Sequence, residues 1–354
     1  MGEPDREALR RQLLTWYRAQ KRDLPFRRTK DPYAILVAEI LLQRTRVKAG
    51  VPYYERFLAA FPTVHDLAAA READVLRAWE GLGFYGRARN LLQAAKAIEK
   101  EFGGELPTDF EALRGLPGIG DYTAGAVGSI AFGLRVPAVD GNATRVLARM
   151  FRIEDDVVHA KGRARVRALA VQLVPADAPG EWNQALMELG ATVCIPAAPR
   201  CGECPISDEC LAFAAGVQDG LPRVPAKRSV RVERVVFAVA RRGDAVLLVR
   251  RQRGLHAGMF ALPGGAVGAA ESPENALRRH LSLLRLRVPS MECLGPVRHT
   301  FSHLRWEGDA YRCEVRGRPA GATWVPSSRL SNLPLVPLHR RLIAESTIPY
   351  DKNL

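Results

Sequence analysis

The chain has 354 residues, more than one ordinary domain, and 47% of them are apolar, enough for more than one core. No apolar run reaches the about eighteen residues a membrane-spanning helix needs, and the start MGEPDREALRRQLL lacks the apolar stretch of a secretory signal. A net charge of +14 points toward a polyanionic partner, although a basic soluble protein without one has the same composition.

From Asp5 to about Ala215 apolar residues recur at helical spacing, as in Leu9, Leu13, Trp16 and Tyr17, and again in Leu91, Leu92, Ala95 and Ile98. Pro and Gly punctuate the pattern at Phe61-Pro62, Gly81-Leu82-Gly83 and Gly103-Gly104, and Thr63 and Thr108-Asp109 are placed to open helices. Residues 5–217 are therefore expected to form an all-α domain. Residues 218–231 hold two prolines and several basic residues without helical period, which reads as a linker. Residues 232–346 are expected to form a small α+β domain. In it, strands at Val235–Val239 and Ala245–Val249 are joined by the hairpin signal Arg241-Arg242-Gly243-Asp244. A helix over Ser272–Leu284 and strands near Phe301–Trp306 and Ala310–Val315 complete it.

Four features carry chemistry. Glu39 lies in Ile35-Leu36-Val37-Ala38-Glu39-Ile40-Leu41-Leu42, where desolvation raises a carboxyl's pKa and keeps a proton for general acid catalysis. A surface-facing Glu on an amphipathic helix fits the same letters. Leu116-Pro117-Gly118-Ile119-Gly120 precedes a helical run, and two glycines permit a tight turn whose amides can receive a phosphate; a plain interhelical connection is the other reading. Asp140, in the apolar stretch before Gly141-Asn142, either caps the next helix or reacts, and a cap that holds a carboxylate still does both. Finally, four of six cysteines crowd together as Cys194-x6-Cys201-x2-Cys204-x5-Cys210. Such clustering argues for a metal and against a disulfide framework. One Cys-x2-Cys pair, where zinc commonly uses two, favours an iron–sulfur cluster, with zinc or free thiols as alternatives.

The cysteine spacing resembles the 4Fe–4S loop of the helix-hairpin-helix DNA glycosylases, the endonuclease III and MutY superfamily, and the resemblance extends over nearly the whole chain. It implies one structural 4Fe–4S cluster on Cys194, Cys201, Cys204 and Cys210, with Arg200 beside it as a phosphate contact. Leu116–Gly120 resembles the family's hairpin, so Gly118 and Gly120 are expected at the DNA backbone. Asp140 falls at the catalytic aspartate, which would stabilise the oxocarbenium-like sugar, with Asn142 orienting it or the water. Tyr33–Thr45 resembles the stretch that holds the acid protonating N7 of adenine, which gives Glu39 that role and places Gln43, Arg44 and Thr45 at the DNA. Tyr122 stands where lyase members carry a Schiff-base lysine, so base removal without strand cleavage is expected. Gly81–Asn90 resembles a MutY segment, with Arg87 and Arg89 suited to phosphates and Phe84 and Tyr85 to stacking.

Residues 235–342 resemble a Nudix domain. Gly265-x5-Glu271 opens like its box, but Arg279-His280-Leu281-Ser282-Leu283-Leu284 lacks the magnesium-binding carboxylates, so recognition without hydrolysis is implied. Phe301-Ser302-His303 matches the family loop that reads 8-oxoguanine, with Phe301 as a wedge and the other two as hydrogen-bonding groups. Three positions depart: Arg44 replaces a glutamine, Phe84 replaces a tyrosine, and Leu36-Val37 lacks a tryptophan. Tyr33–Thr45 also resembles the glycosylases that remove T opposite G. The expected protein is a monofunctional adenine DNA glycosylase, monomeric and cytoplasmic at a bacterial nucleoid, acting on double-stranded DNA with a mismatch or oxidised guanine. The competing readings are a G·T thymine glycosylase, a non-catalytic lesion binder and a Nudix hydrolase.

Overall fold

The computed structural model describes residues 4–225, 230–254, 256–301 and 304–346. Twelve helices come first: α1 (Arg6–Gln20), α2 (Pro32–Leu42), α3 (Val47–Ala60), α4 (Val64–Ala69), α5 (Glu72–Ala78), α6 (Gly86–Phe102), α7 (Phe110–Gly115), α8 (Asp121–Phe132), α9 (Gly141–Met150), α10 (Ala160–Leu173), α11 (Pro179–Thr192) and α12 (Leu211–Ala214). An α+β region follows: β1 (Arg231–Arg242), β2 (Ala245–Arg250), β3 (Phe260–Ala261), β4 (Gly264–Ala266), α13 (Pro273–Leu283), β5 (Arg287–Thr300), β6 (Leu304–Arg316), β7 (Ala322–Pro326) and α14 (Pro337–Glu345). Among the described residues no helix is long and apolar enough to cross a membrane.

The chain divides into two compact units, residues 1–70 with 86–226 and residues 71–85 with 227–354. The stretch around α5 and the Gly81–Tyr85 loop thus groups with the α+β unit. Its link is visible inside that unit, where Glu80 takes Arg340 in two bonds of 2.6 and 2.9 Å.

In the first unit α1, α9, α10 and α11 enclose a core around Trp182, Leu147 and Leu13. Helix α2 opens at Asp31, whose carboxylate accepts from the amides of Tyr33 and Ala34 ahead of Pro32 at the first turn. Eight of its eleven residues are buried, so the helix is apolar on nearly all sides and Glu39 is its single charge. Asp109 caps α7 through Ala112, and Thr63 with Asp66 forms a capping box on α4. Residues 218–220, expected in a linker, form a 3-10 turn, and the next residue, Leu221, is buried with its carbonyl accepting from Arg149.

In the second unit the strand order is β3-β2-β1-β6-β5, with β4 on β1 and β7 on β2. The β1–β2 hairpin turns at Gly243, in the left-handed region at φ 59°, as its Gly-Asp turn suggests. Strand β1 is parallel to β6, and Val235–Ala240 is buried on both faces. Val236, Ala238 and Ala240 meet Ala276, Leu277 and Leu281 of α13 on one face. On the other, Phe237 packs on His339 of α14, ring centroids 4.4 Å apart. Strand β5 is not foreshadowed in the sequence, because Pro289, Gly295 and Pro296 interrupt it. The chain absorbs them as an edge strand with register shifts near Arg287–Ser290 and Cys293–Gly295.

Candidate active site in the helical unit

A cavity of about 790 Å3 opens between α2, α8, α9 and α11, within the size range of small-molecule sites. Glu39, Tyr122, Asp140 and Asn142 all line it, as do Gln43, Arg44 and Thr45 at the end of α2. Four expectations spread over a hundred residues therefore meet in one place.

The Tyr122 hydroxyl donates to Glu39 Oε2 and lies 3.4 Å from Met187 Sδ. Burial pushes the Glu39 carboxyl up to about 7; the Tyr122 bond opposes this and the charge of Asp140 adds to it. Near neutral pH the group is therefore divided between acid and base forms, the condition a general acid needs. Burial also raises Tyr122 well above its usual value, so its hydroxyl stays a donor.

Asp140 caps α9. Its Oδ1 accepts from Ala143 N at 2.7 Å and its Oδ2 from Asn142 Nδ2 at 2.9 Å. Burial raises its pKa, and these two donors and Arg145 oppose the rise. The capping carboxylate is thus fixed at both oxygens.

Asn142 is held in turn. Arg145 Nη2 donates to Asn142 Oδ1 at 2.8 Å and to Gly190 O at 2.7 Å, and its Nε donates to Cys194 O at 2.8 Å. Gly190 matters here because a Cβ on it would lie 2.6 Å from that of Asn142. Arg149, one turn on and 2% exposed, donates to the carbonyls of Ile195, Pro196 and Leu221 and, at 3.4 Å, to Cys194 Sγ. Sequence reasoning missed both arginines; their signal is the spacing Asn142, Arg145, Arg149 on the helix that Asp140 caps. It also missed the opposite wall, where buried Glu188 takes Arg22 and Arg27 at 2.7 Å. Burial would raise Glu188, but the two guanidinium groups hold it at about 2.

Cys194, Cys201, Cys204 and Cys210 are free thiols lining one pocket with Arg149, Pro199 and Phe213. Burial first, then the neighbouring thiolates, push Cys204 up to about 12 and raise Cys201 and Cys210. Four such sulfurs are poor anions unless positive charge sits among them. Among the described residues no three His, Cys, Asp or Glu groups converge as they would on a single ion.

The hairpin lies between α7 and α8. Gly118 has φ +74°, and a Cβ there would lie 2.4 Å from that of Asn90, so only glycine fits. Gly120 is the extended N-cap of α8, and no side chain caps the amides that follow it. Gln43 Nε2 donates to Thr123 Oγ1 at 3.2 Å, and Arg44 takes φ 59°. Arg87, expected at a phosphate, instead turns inward: its Nη1 donates to Ile40 O at 3.0 Å, to Leu41 O at 2.9 Å and to Gln43 O. The orphan carbonyls ending α2 explain this, and burial lowers the guanidinium to about 10. Arg89 lies on α6 of the same unit. Arg200 is half-exposed, pairs with Glu203 at 3.1 Å and donates to Thr192 O.

In the second unit Phe84 is 48% exposed at φ 48°, whereas Tyr85 is buried. Phe301 is hemmed in by rings: His299 at 4.5 Å, Trp306 at 4.9 Å and His256 at 5.7 Å between centroids. These rings surround Phe301 at the end of β5. Ser302 and His303 lie outside the described residues. At the Nudix-like box Arg279 binds Glu271 through Nε and Nη2 at 2.9 and 2.8 Å, and Gly268 N adds a third bond. Glu271 is thereby committed to an arginine.

A profile described as "HhH-GPD superfamily base excision DNA repair protein" matches residues 37–175, and one described as "NUDIX domain" matches residues 235–345. A solved "thermostable thymine-DNA glycosylase" covers 59% of this chain and 97% of its own at 30% identity, with a TM-score of 0.54. An endonuclease III–DNA complex covers 60% and 99% at 23% identity, with a TM-score of 0.51, a likeness of fold. The helical fold and these matches define a DNA N-glycosylase of the helix-hairpin-helix class. The "Adenine DNA glycosylase" of Rattus norvegicus is 35% identical over 381 residues, 92% of this chain and 74% of the relative. That of Homo sapiens is 34% identical over 386 residues, 90% and 70%. The chain belongs to the adenine DNA glycosylase family.

Proposed function

We propose that this protein removes adenine paired with 8-oxoguanine or guanine in double-stranded DNA, hydrolysing the N-glycosidic bond without cutting the strand. The observation that carries this reading is the Glu39 carboxyl, held at about 7 in the same pocket as Asp140. A purine has a basic N7, and protonating it turns a poor leaving group into a neutral one. Glu39 delivers that proton. Asp140, its two oxygens held by Asn142 and Ala143, stabilises the positive sugar as the base departs, by charge or by transient attack. Asn142 positions Asp140. Tyr122 supplies no amine, so no imine forms and the sugar–phosphate chain stays whole.

The four cysteines would hold a 4Fe–4S cluster, which would supply the positive charge that their thiolates need, while Arg145 and Arg149 tie the loop to α9. Gly118 and Gly120 present amides to the phosphate backbone, and Gln43, Arg44, Thr45, Arg89 and Arg200 line the same DNA path. In the Nudix-like unit Phe301, Ser302 and His303 read the base opposite adenine, and Phe84 stacks. The protein acts as a monomer in the cytoplasm.

A second reading has one observation in its favour, the 30% identity to a thymine-DNA glycosylase. Base release from duplexes carrying A or T opposite 8-oxoguanine or guanine separates the two. Release of adenine, with fragments appearing only after alkali, supports the proposal. Release of thymine opposite guanine alone overturns the substrate while leaving the chemistry.

A further inference from the structure

After α5 the chain turns sharply around the exposed ring of Phe84. Gly81, Gly83 and Phe84 hold φ of 98°, 69° and 48°, and of the three only Phe84 lacks glycine's freedom to do so. Bonds within the stretch shape the turn. Trp79, fully buried, donates from Nε1 to Gly83 O at 3.2 Å, and Gly81 N donates to the hydroxyl of buried Tyr85 at 3.4 Å. Glu80 sits inside this turn, and its carboxylate takes two arms of the Arg340 guanidinium, Nε at 2.6 Å and Nη2 at 2.9 Å. Arg340 lies on α14 and is held from the other side as well: Nη1 donates to Leu330 O at 3.0 Å and Nη2 to Leu333 O at 3.1 Å. Helix α14 is itself seated by Leu338, Leu342 and Ile343, all buried.

We infer that Arg340 is a positioning residue for DNA stacking: its grip on Glu80 fixes the Gly81–Tyr85 turn and so sets where the Phe84 ring stands. This rests on the proposal that Phe84 stacks in the DNA. A ring pressed between bases is pushed back by the stack that it opens, so its contribution depends on what holds the turn behind it. The bonds inside the turn shape it without tying it to anything else. An ordinary exposed ion pair would add little, because a long side chain follows its partner when the partner moves. This pair differs in three ways. Both side chains are half-buried, and the two-armed contact fixes direction as well as distance. The bonds to Leu330 and Leu333 also keep the guanidinium from following Glu80. Arg340 therefore acts as a post to which the turn is tied, at a distance from the ring whose place it sets.

The test is a double-mutant cycle in the full-length protein. Wild type, Phe84→Ala, Arg340→Gln and the double variant are compared for their dissociation constants, with thermal melting of each as a folding check. The duplex carries adenine opposite 8-oxoguanine on a 2′-fluoro sugar, which resists cleavage. Phe84→Ala is expected to bind about tenfold more weakly, through loss of one stacking contact. Arg340→Gln should bind about fivefold more weakly, and the double variant should stay within about twofold of Phe84→Ala, because Arg340 acts only through that ring. Losses that multiply, to about fiftyfold in the double variant, would assign Arg340 to general stability or to a contact of its own, and overturn the inference. Wild-type binding by Arg340→Gln, with Phe84→Ala weakened, overturns this inference alone. Wild-type binding by Phe84→Ala overturns the stacking reading and this inference with it. Should Arg340→Gln melt early, Glu80→Gln takes its place in the cycle, since it leaves the Leu330 and Leu333 bonds intact and loosens only the turn. The same dependence on Phe84 is expected of it, and a multiplying loss or no loss at all overturns the inference.

Discussion

Replacing Tyr122 by Phe deletes one hydroxyl from the pocket, the donor to Glu39 Oε2, and leaves the ring in place. The bond favours the charged carboxylate and so holds the pKa of Glu39 down against burial. Without it the pKa must rise above its present value of about 7. A hydrogen bond to a charged group is worth about 1.5–3 kcal/mol, and one pH unit corresponds to about 1.4 kcal/mol, so the shift should be about one unit or more. The acid form carries the reaction, so the rate falls as pH rises through that pKa, and in Tyr122→Phe this falling limb moves to higher pH. With the pKa moved from about 7 to about 8, the variant retains roughly five times the wild-type fraction of acid form at pH 8. Single-turnover adenine release measured from pH 5 to pH 9 reads the limb directly. A limb that stays in place, or moves to lower pH, would refute the assignment of Glu39 as a proton donor tuned by Tyr122.

Three further outcomes follow from the same pocket and its neighbour. Because burial raises Glu39 in the folded state, the native protein holds that proton more tightly than the unfolded chain. Stability present below about pH 4.5 is therefore lost as pH rises toward 7, so Glu39→Gln should abolish excision yet gain up to about 3 kcal/mol at pH 8 and nothing near pH 4; denaturant unfolding at the two pH values checks this, and equal effects at both would contradict it. Asn142→Ala frees Asp140 Oδ2 and removes one of the three acceptors of Arg145, so the single-turnover rate should drop about 10- to 100-fold with KM nearly unchanged. A rise in KM alone would place Asn142 in binding. Cys204→Ala should purify with little iron and sulfide and with a less stable helical unit, while wild type carries about four of each; an iron-free wild type of full stability would dismiss the cluster.

How much of this was legible in the sequence depends on how local each signal is. Asp140 with Asn142 and the glycines of Leu116–Gly120 are short motifs whose geometry is set within a few residues: Asp140 caps α9 and Gly120 begins α8. The Gly243 hairpin is equally local. Glu39 was harder. A helix apolar on nearly every side has no periodicity to say which face meets a cavity, and the answer lies in α8 and Tyr122, 83 positions away. The Glu188 wall joins residues about 160 positions apart, and Arg87 serves carbonyls more than 40 positions upstream, so an arginine suited to phosphate was in fact needed by the end of a helix. Likewise the grouping of residues 71–85 with the α+β unit depends on partners such as Glu80 and Arg340, 260 positions apart. Strand β5 was hidden by prolines that only an edge position tolerates.

In the proposed reaction Asp140 works on the sugar while the rest of the site binds and aligns the nucleotide. The measurement is single-turnover adenine release by wild type and Asp140→Asn on one duplex carrying adenine opposite 8-oxoguanine, with dissociation constants for both proteins. The amide can still accept from Ala143, so the cap and the fold persist. Release about a thousandfold slower, with binding kept within about fivefold, is expected. An Asp140→Asn protein that releases adenine within tenfold of the wild-type rate would contradict it.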